Sequence, residues 1–392
     1  MTFDRPRLAV ATAGYCAFLN LYAPQAVLPE LSATLHISPA TAGATVGVST
    51  LAMALAAPFV GMLADRIGRK RTIVSAIALL LIPTLMLVFA RGLPEILIWR
   101  FVQGLLLPAV FSPVVAYVNE EWPPGQAADI MGLYIAGTAL GGFSGRFVTA
   151  LLADYFGWRS GFAVLTVLTL MCGAVVLGWL PTARYRTTTA SRSEGSVAAL
   201  VRHFRNPALL ATFAIGFAVL FAQVAVFTYV NFHLAQAPYF LGSSQLGMIF
   251  LVYLIGAAIS PASGFMIRRL GRRLAMTLSV ATACVGLIAT LQSALPMIVA
   301  GLALFVMGTF TMMSAAMGFV GQAAQQAKAT AVGCYVSCYY IGGSAGAVLP
   351  GMVVWHSAGW PGCVGLTLVV LFAALFLAWR AWRDERRVYA AE

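Results

Sequence analysis

Charge is what this sequence has least of. Only 9% of its 392 residues are charged, against 61% hydrophobic. Soluble domains carry about 25% charged residues, so a soluble domain is excluded. The acids are scarcest, twelve in all, and none falls at the middle of an apolar run. The histidines number four (His36, His203, His233 and His356) and lie scattered, so they supply no convergent acid–base or metal cluster for a membrane-embedded enzyme. Of six cysteines, five sit inside apolar runs and no CxxC occurs. They read as buried thiols, not disulfides or metal ligands. GxxxxGK[ST] is absent, which argues against ATP-driven pumping, and no large polar appendage suggests a sensor or scaffold. The expectation is no enzyme, no cofactor and no metal.

Apolar runs of about twenty residues recur instead, each long enough for a hydrocarbon core of ~30 Å. Twelve spans are expected, near 8–29, 42–63, 72–90, 93–118, 129–152, 160–180, 207–232, 245–266, 274–292, 295–318, 331–355 and 361–380. The chain therefore reads as an all-α membrane protein whose first partner is the lipid bilayer. The first run begins near Leu8, is too long for a signal-peptide core and lacks a cleavage site. The net charge of +12 could suggest nucleic acid, but the basic residues sit in short clusters between runs, with no aromatic-basic groove. Arg5, Arg7, Arg66, Arg69, Lys70, Arg71, Arg184, Arg186, Arg192, Arg202, Arg205, Arg268, Arg269, Arg272, Arg273, Lys328, Arg380, Arg383, Arg386 and Arg387 all fall on one side, leaving Arg91 and Arg159 opposite. The positive-inside rule makes both termini cytoplasmic. One long polar connection, 182–206, separates the halves 1–181 and 207–392. Its Val197, Leu200, Val201 and Phe204 share a helical face. That predicts a short helix on the inner membrane surface, or a plain tether.

The halves repeat one another. PFVGMLADRIGRKR (58–71) matches PASGFMIRRLGRR (261–273) in the spacing of proline and glycines. FVQG (101–104) pairs with FVMG (305–308), YIAG (134–137) with YIGG (340–343), and Gly157–Trp158 with Gly359–Trp360. Parallel duplicated halves suit a rocking transporter. Here the chain resembles the major facilitator superfamily: GMLADRIGRKR, through Gly61, Asp65, Arg66, Gly68, Arg69 and Lys70, is similar to its motif between spans two and three. RFVQGLLLPA, through Arg100, Gln103 and Gly104, is similar to its fourth-span motif. YAPQAVLPEL and GTALGGFSGR further resemble bacterial YnfM-type inner-membrane transport proteins, near the drug:proton antiporter branch. The resemblance implies two pseudo-symmetric six-helix bundles, alternating access and export across the bacterial inner membrane, with protons as partners. It also implies a conformational latch: Asp65 against the N-terminus of span eleven near Thr330, with Arg69 meeting Glu120 or Glu121. One departure stands out. Gly137, Gly141 and Gly145 keep the antiporter spacing, but Gly142 replaces a proline and Arg146 a glycine.

Features in one half alone are the candidates for mechanism. Arg100 faces Leu304 in the repeat and Arg146 faces Met352. Both lie roughly 10 Å below the outer surface at ~1.5 Å per residue. Insertion scales put an arginine at a helix centre at ~2.5–3.5 kcal/mol. That cost implies a cavity, a partner or a substrate, unless the side chains snorkel outward. Buried arginines without a buried acid favour anionic or neutral amphipathic solutes over lipophilic cations. A transport pathway is drawn from Tyr15, Asn20, Tyr22, Gln25, Gln103, Gln223, Tyr229, Asn231, Tyr253, Tyr335 and Tyr339 beside the two arginines; the bland alternative for each is helix–helix hydrogen bonding. Glu30, Asp65 and Asp154 are the proton-site candidates, with His36 and His233 as outer-edge alternatives. The chain is expected to act as a monomer carrying a small molecule. The alternatives are a multidrug:proton antiporter and an uptake carrier for small organic acids.

Overall fold

The computed structural model describes residues 4–182, 197–324 and 326–382. Among these there is no strand. The helices of the first half are α1 (Arg5–Leu21), a 3₁₀ turn (Ala23–Val27), α2 (Leu28–Leu35), α3 (Pro39–Ile67), α4 (Arg69–Phe89), α5 (Leu93–Glu121), α6 (Pro124–Phe156) and α7 (Trp158–Trp179). Then come α8 (Val197–Arg205), α9 (Pro207–Leu234), α10 (Ser243–Ile249), α11 (Val252–Leu270), α12 (Arg272–Ala289), α13 (Leu295–Ala323), α14 (Lys328–Val353) and α15 (Trp355–Ala381).

Ten helices among the described residues are long and apolar enough to cross a membrane, and eleven if the pair Ser243–Ile259 and Ser263–Leu270, bent by 49°, makes one span. The expected first span accounts for the difference. Its helix stops at Leu21, and Pro24 and Pro29 divide the next stretch into a 3₁₀ turn and α2. Proline lacks the N–H that would continue the ladder. The linker helix is present as α8, where His203 bonds the Ala327 carbonyl at 3.2 Å and Phe204 meets Phe213 edge-on. Arg184, Arg186, Arg192, Arg383, Arg386 and Arg387 lie outside the described residues, as does the connection over 183–196.

Contacts divide the chain into two compact units, one of residues 1–190 with 231–254 and the other of 191–230 with 255–392. The segment 231–254, from the end of α9 to the start of α11, thus packs with the first unit. In both units glycine sets the closest helix approaches. On α6, a Cβ at Gly137, Gly141 or Gly145 would fall 2.3, 2.2 and 2.0 Å from the carbonyl oxygens of Ala11, Tyr15 and Leu19 on α1. On α14, Gly342 and Gly346 meet the Phe217 and Phe221 carbonyls of α9 in the same way, at 2.0 and 2.3 Å. Backbones this close need small residues, the usual adhesive where lipid is as apolar as leucine. Tyr134 abuts Gly14 as Tyr335 abuts Gly216, so the packing register pairs Gly141 with Gly342 and Gly145 with Gly346, five residues away from the YIAG–YIGG match; Gly343 faces Leu220 side chains instead. Likewise Gly104 packs on Ser49 of α3 but Gly308 on Ser279 of α12, so repeated letters do not always repeat contacts.

The turns repeat more faithfully. Gly68 and Gly271 have φ of +102° and +77°, and Gly157 and Gly359 +78° and +54°, a region open to glycine and strained for side chains. Gly61 and Gly264 do not mark a close approach: an added Cβ would meet nothing within 4 Å at Gly61 and only Arg268 Nη1, at 3.6 Å, at Gly264.

Gly141→Ala should destabilise the protein by about 1–3 kcal/mol through overpacking, although alanine is the better helix former by ~1 kcal/mol. Gly178→Ala, with open space around it, should not. Thermal unfolding of the two variants side by side checks this.

Candidate functional site

The interruption of the first span creates a problem that the neighbouring helices solve. Carbonyls in a helix need the N–H four residues on, and where α1 ends these are missing. Asn20 would require an N–H from Pro24, which has none. Leu21 would require that of Gln25, which donates to the Tyr22 carbonyl instead, at 3.0 Å. Arg100 of α5 supplies both: Nη1 donates to Asn20 O at 2.9 Å and Nη2 to Leu21 O. Its Nε donates to Thr45 O at 3.0 Å, and Nη1 also to Gln103 Oε1 at 2.6 Å. A guanidinium at a helix C-terminus also meets the negative end of the dipole. Thr149 Oγ1 donates to Ala23 O at 2.8 Å, and Asn231 Nδ2 to Gln25 O at 2.8 Å. Four carbonyls of the break thus receive hydrogen bonds from side chains of three other helices.

Arg100 is fully buried and anchors a wider polar web. Gln103 Nε2 donates to Thr84 Oγ1 at 2.9 Å, and Asn20 Nδ2 to Thr169 Oγ1 at 2.9 Å. Thr84 and the Asn20 amide oxygen are 3.0 Å apart. Asn20, Arg100 and Gln103 therefore form one hydrogen-bonded cluster whose donors are turned to protein.

A second cluster surrounds Arg146 of α6, 3% exposed. The rings of Tyr22, Phe250 and Tyr253 centre 4.6, 4.7 and 5.0 Å from its Cζ. Nε donates to Gln25 Oε1 at 2.9 Å and Nη1 to Gly142 O at 2.8 Å. The two departures from the antiporter pattern fit each other, since the guanidinium folds back on residue 142, where a Cβ would sit 3.4 Å from Nη1. Tyr22, Gln25, Arg146, Asn231 and Tyr253, five of the residues drawn into the pathway, meet here within the first unit.

The other pathway candidates are placed apart. Tyr15 gives its carbonyl to the Gly141 contact. In the second unit, Gln223 donates to Thr309 at 3.1 Å and Tyr229 to Ala347 O at 3.0 Å, both helix-to-helix bonds. Tyr335 stacks on Tyr339, whose hydroxyl reaches Met313 Sδ at 3.4 Å. The Tyr335 hydroxyl is buried with no hydrogen-bond partner among the described residues. Phe250 and Thr149 escaped the reading by residue type. Phe250 did carry a signal, being three residues before Tyr253 and so on the same helical face.

Where α3 gives way to α4, Arg69 lies between Asp65, at 2.7 Å, and Glu120, at 2.9 Å. Arg66 is exposed. Two acids, Asp154 and Glu30, meet the start of α10. Asp154 accepts from the Ser243 and Ser244 N–H groups, both at 2.8 Å. Glu30 accepts from Trp158 N–H at 2.9 Å and from Ser243 Oγ at 3.2 Å. Burial raises the Glu30 carboxyl above its ordinary range, Asp154 adds to the rise, and the Trp158 and Ser243 bonds oppose it.

This geometry has measurable consequences. Arg100→Met should strand the carbonyls of Asn20 and Leu21, costing about 2–6 kcal/mol at ~1–3 kcal/mol for each buried unpaired group. Arg100→Lys should recover only part, because an ammonium cannot reproduce the fork. Unfolding in detergent, with no solute added, reads both. For Glu30, a folded-state pKa above the unfolded one contributes stability at acid pH that is lost as pH rises through the folded value. The melting-temperature advantage of the wild type over Glu30→Gln should therefore shrink as pH is raised through the carboxylate range.

The comparisons agree with the architecture. The Major Facilitator Superfamily profile matches residues 10–244 and 235–391. The inner membrane transport protein YnfM of Escherichia coli is 35% identical over 388 residues, 99% of this chain and 92% of its own. The MFS-type transporter YybF of Bacillus subtilis is 31% identical over 96% of this chain and 93% of its own. In fold, the chain is similar to the inward-facing, occupied structure of a bacterial homologue of the human lysosomal transporter Spinster, with a TM-score of 0.78 at 15% identity, covering 97% of each. The chain is a multi-pass membrane transporter, not an enzyme, and it belongs to the Major Facilitator Superfamily.

Proposed function

We propose that this transporter exports a small anionic or neutral amphipathic solute, in exchange for protons, by alternating access across a bacterial inner membrane. It acts as a monomer with both termini in the cytoplasm. The observation that carries the reading is the sign of the buried charge. Arg100 and Arg146 are buried within their spans, whereas no described Asp or Glu is buried. A pathway for lipophilic cations would need a buried carboxylate against the ligand charge.

Proton coupling falls to carboxylates at the helix ends. Asp65, Arg69 and Glu120 form the inner latch, with Asp65 against the start of span eleven when the inner side is closed. Glu30 and Asp154 form its outer counterpart at the start of α10. The two halves, 1–181 and 207–392, rock about the pathway and the 182–206 connection tethers them. Each latch stabilises one state, and its breaking is part of the barrier to the other.

Reconstitution into lipid vesicles with an imposed pH gradient tests the reading. Organic acids, neutral amphipaths and cationic dyes are offered in parallel. Gradient-dependent flux of acids or neutral compounds is expected, and Asp65→Asn should slow it several-fold with unchanged insertion. Flux confined to cationic dyes, or indifferent to the gradient, would overturn it.

A further inference from the structure

We infer that Arg146 is the ligand-binding cation of this carrier, and that its ligand carries a single carboxylate on a flat apolar body. The inference rests on the reading of an anion or neutral carrier and names the group and the substrate class within it.

Arg100 and Arg146 carry the same insertion cost, but they use their donors differently. Arg100 donates four N–H bonds to Thr45 O, Asn20 O, Leu21 O and Gln103 Oε1. A guanidinium has five N–H groups, so it offers a ligand almost nothing. Arg146 donates two, to Gln25 Oε1 and Gly142 O. Its Nη2 donates to no described residue, although the side chain is only 3% exposed. No carboxylate forms an ion pair with it among the described residues. The guanidinium is therefore buried, charged and open along its Nη edge.

The surroundings say what completes it. A carboxylate matches the planar fork of a guanidinium through two parallel N–H···O bonds. Close by stand the rings of Tyr22, Phe250 and Tyr253, which bind the cation through their π faces and offer a flat apolar body surfaces on which to stack. Gln25 already holds Nε, fixing the plane of the fork at 2.9 Å. A pocket of aromatic walls with a few convergent polar groups is the usual form of a small-molecule site. Phe250 and Tyr253 belong to the segment 231–254, so the enclosure of Arg146 depends on where that segment lies. When it withdraws, the fork loses two of its three rings and is presented to an incoming anion.

Benzoate is the simplest probe of this class, benzamide its neutral isostere and benzylammonium its counterpart of opposite charge. Binding of each to the full chain in lipid nanodiscs is measured by calorimetry, for the wild type, Arg146→Gln and Arg146→Lys, with unfolding curves recorded for each. The wild type should prefer benzoate to benzamide by about ten- to hundredfold, the contribution of a charged hydrogen-bond partner. Arg146→Gln should abolish the preference, and Arg146→Lys should keep a weakened one. If Arg146→Gln does not fold, the wild-type preference and the lysine variant still decide. Absence of benzoate binding to the wild type, equal binding of benzamide, or an undiminished preference in Arg146→Gln overturns the assignment. If organic acids still cross vesicles under a pH gradient in that case, the carrier reading stands and only the role of Arg146 falls. Preference for benzylammonium defeats both.

Discussion

A carbonyl that has lost its helical partner inside a membrane has no water to turn to, and the first half of this protein is organised around two of them. Pro24 removes the donor for Asn20, and the 3₁₀ turn diverts that of Leu21. Arg100 meets both, while Thr149 and Asn231 add side-chain bonds to the Ala23 and Gln25 carbonyls of the turn. The depth of Arg100 thereby has a cause. The cost of burying its charge is offset by carbonyl dipoles that would each be costly to leave bare. The break in turn places Tyr22 and Gln25 where a continuous helix would not, against Arg146. Discontinuous helices at the centre of transporters commonly supply exposed backbone to a site. Here the backbone is bonded internally and the side chains beside it, Tyr22 and Gln25, meet Arg146.

The duplication divides the chemistry along the same line. Glycine contacts recur in both halves: Gly137 and Gly141 against α1, Gly342 and Gly346 against α9. They hold helix pairs together, as either half of a rocking carrier needs. The deep cations do not recur, for Leu304 faces Arg100 in the repeat and α14, the counterpart of α6, holds no arginine. Among the described residues the buried arginine of the second unit, Arg272, is the first residue of α12, at a helix end, where Phe319 and Trp382 flank it. Deeper in that unit the helices are joined by neutral bonds, Gln223 to Thr309 and Tyr229 to Ala347. Architecture is thus shared between the halves, while arginine buried deep within a span belongs to one.

Much of this was legible in the letters. Runs of apolar residues gave most of the spans, and the rarity of arginine inside apolar runs singled out Arg100 and Arg146. Pairing was not legible. Arg100 and Asn20 are 80 residues apart, and no local pattern tells a guanidinium that caps carbonyls from one that faces an aromatic enclosure. The proline in YAPQA was visible, yet whether it kinks a helix or breaks it depends on what neighbouring helices offer the freed groups. The YIAG–YIGG match misses the packing register because packing selects the glycine facing the partner carbonyl, and glycines at helical spacing look alike in sequence. Phe250 was hidden by its type, since most phenylalanines in such a chain face lipid or other helices.

The segment 231–254 gathers consequences that its composition does not announce. Through Asn231 it completes the hydrogen bonding of the broken span. Through Ser243 and Ser244 it engages Glu30 and Asp154. Through Phe250 and Tyr253 it encloses Arg146. These are three kinds of interaction with different sensitivities. The amide bond joins neutral partners, the carboxylate contacts are charge-assisted, and the ring contacts hold a cation. A movement that withdraws this segment must break all three, so anything that takes over one of them lowers part of the same barrier.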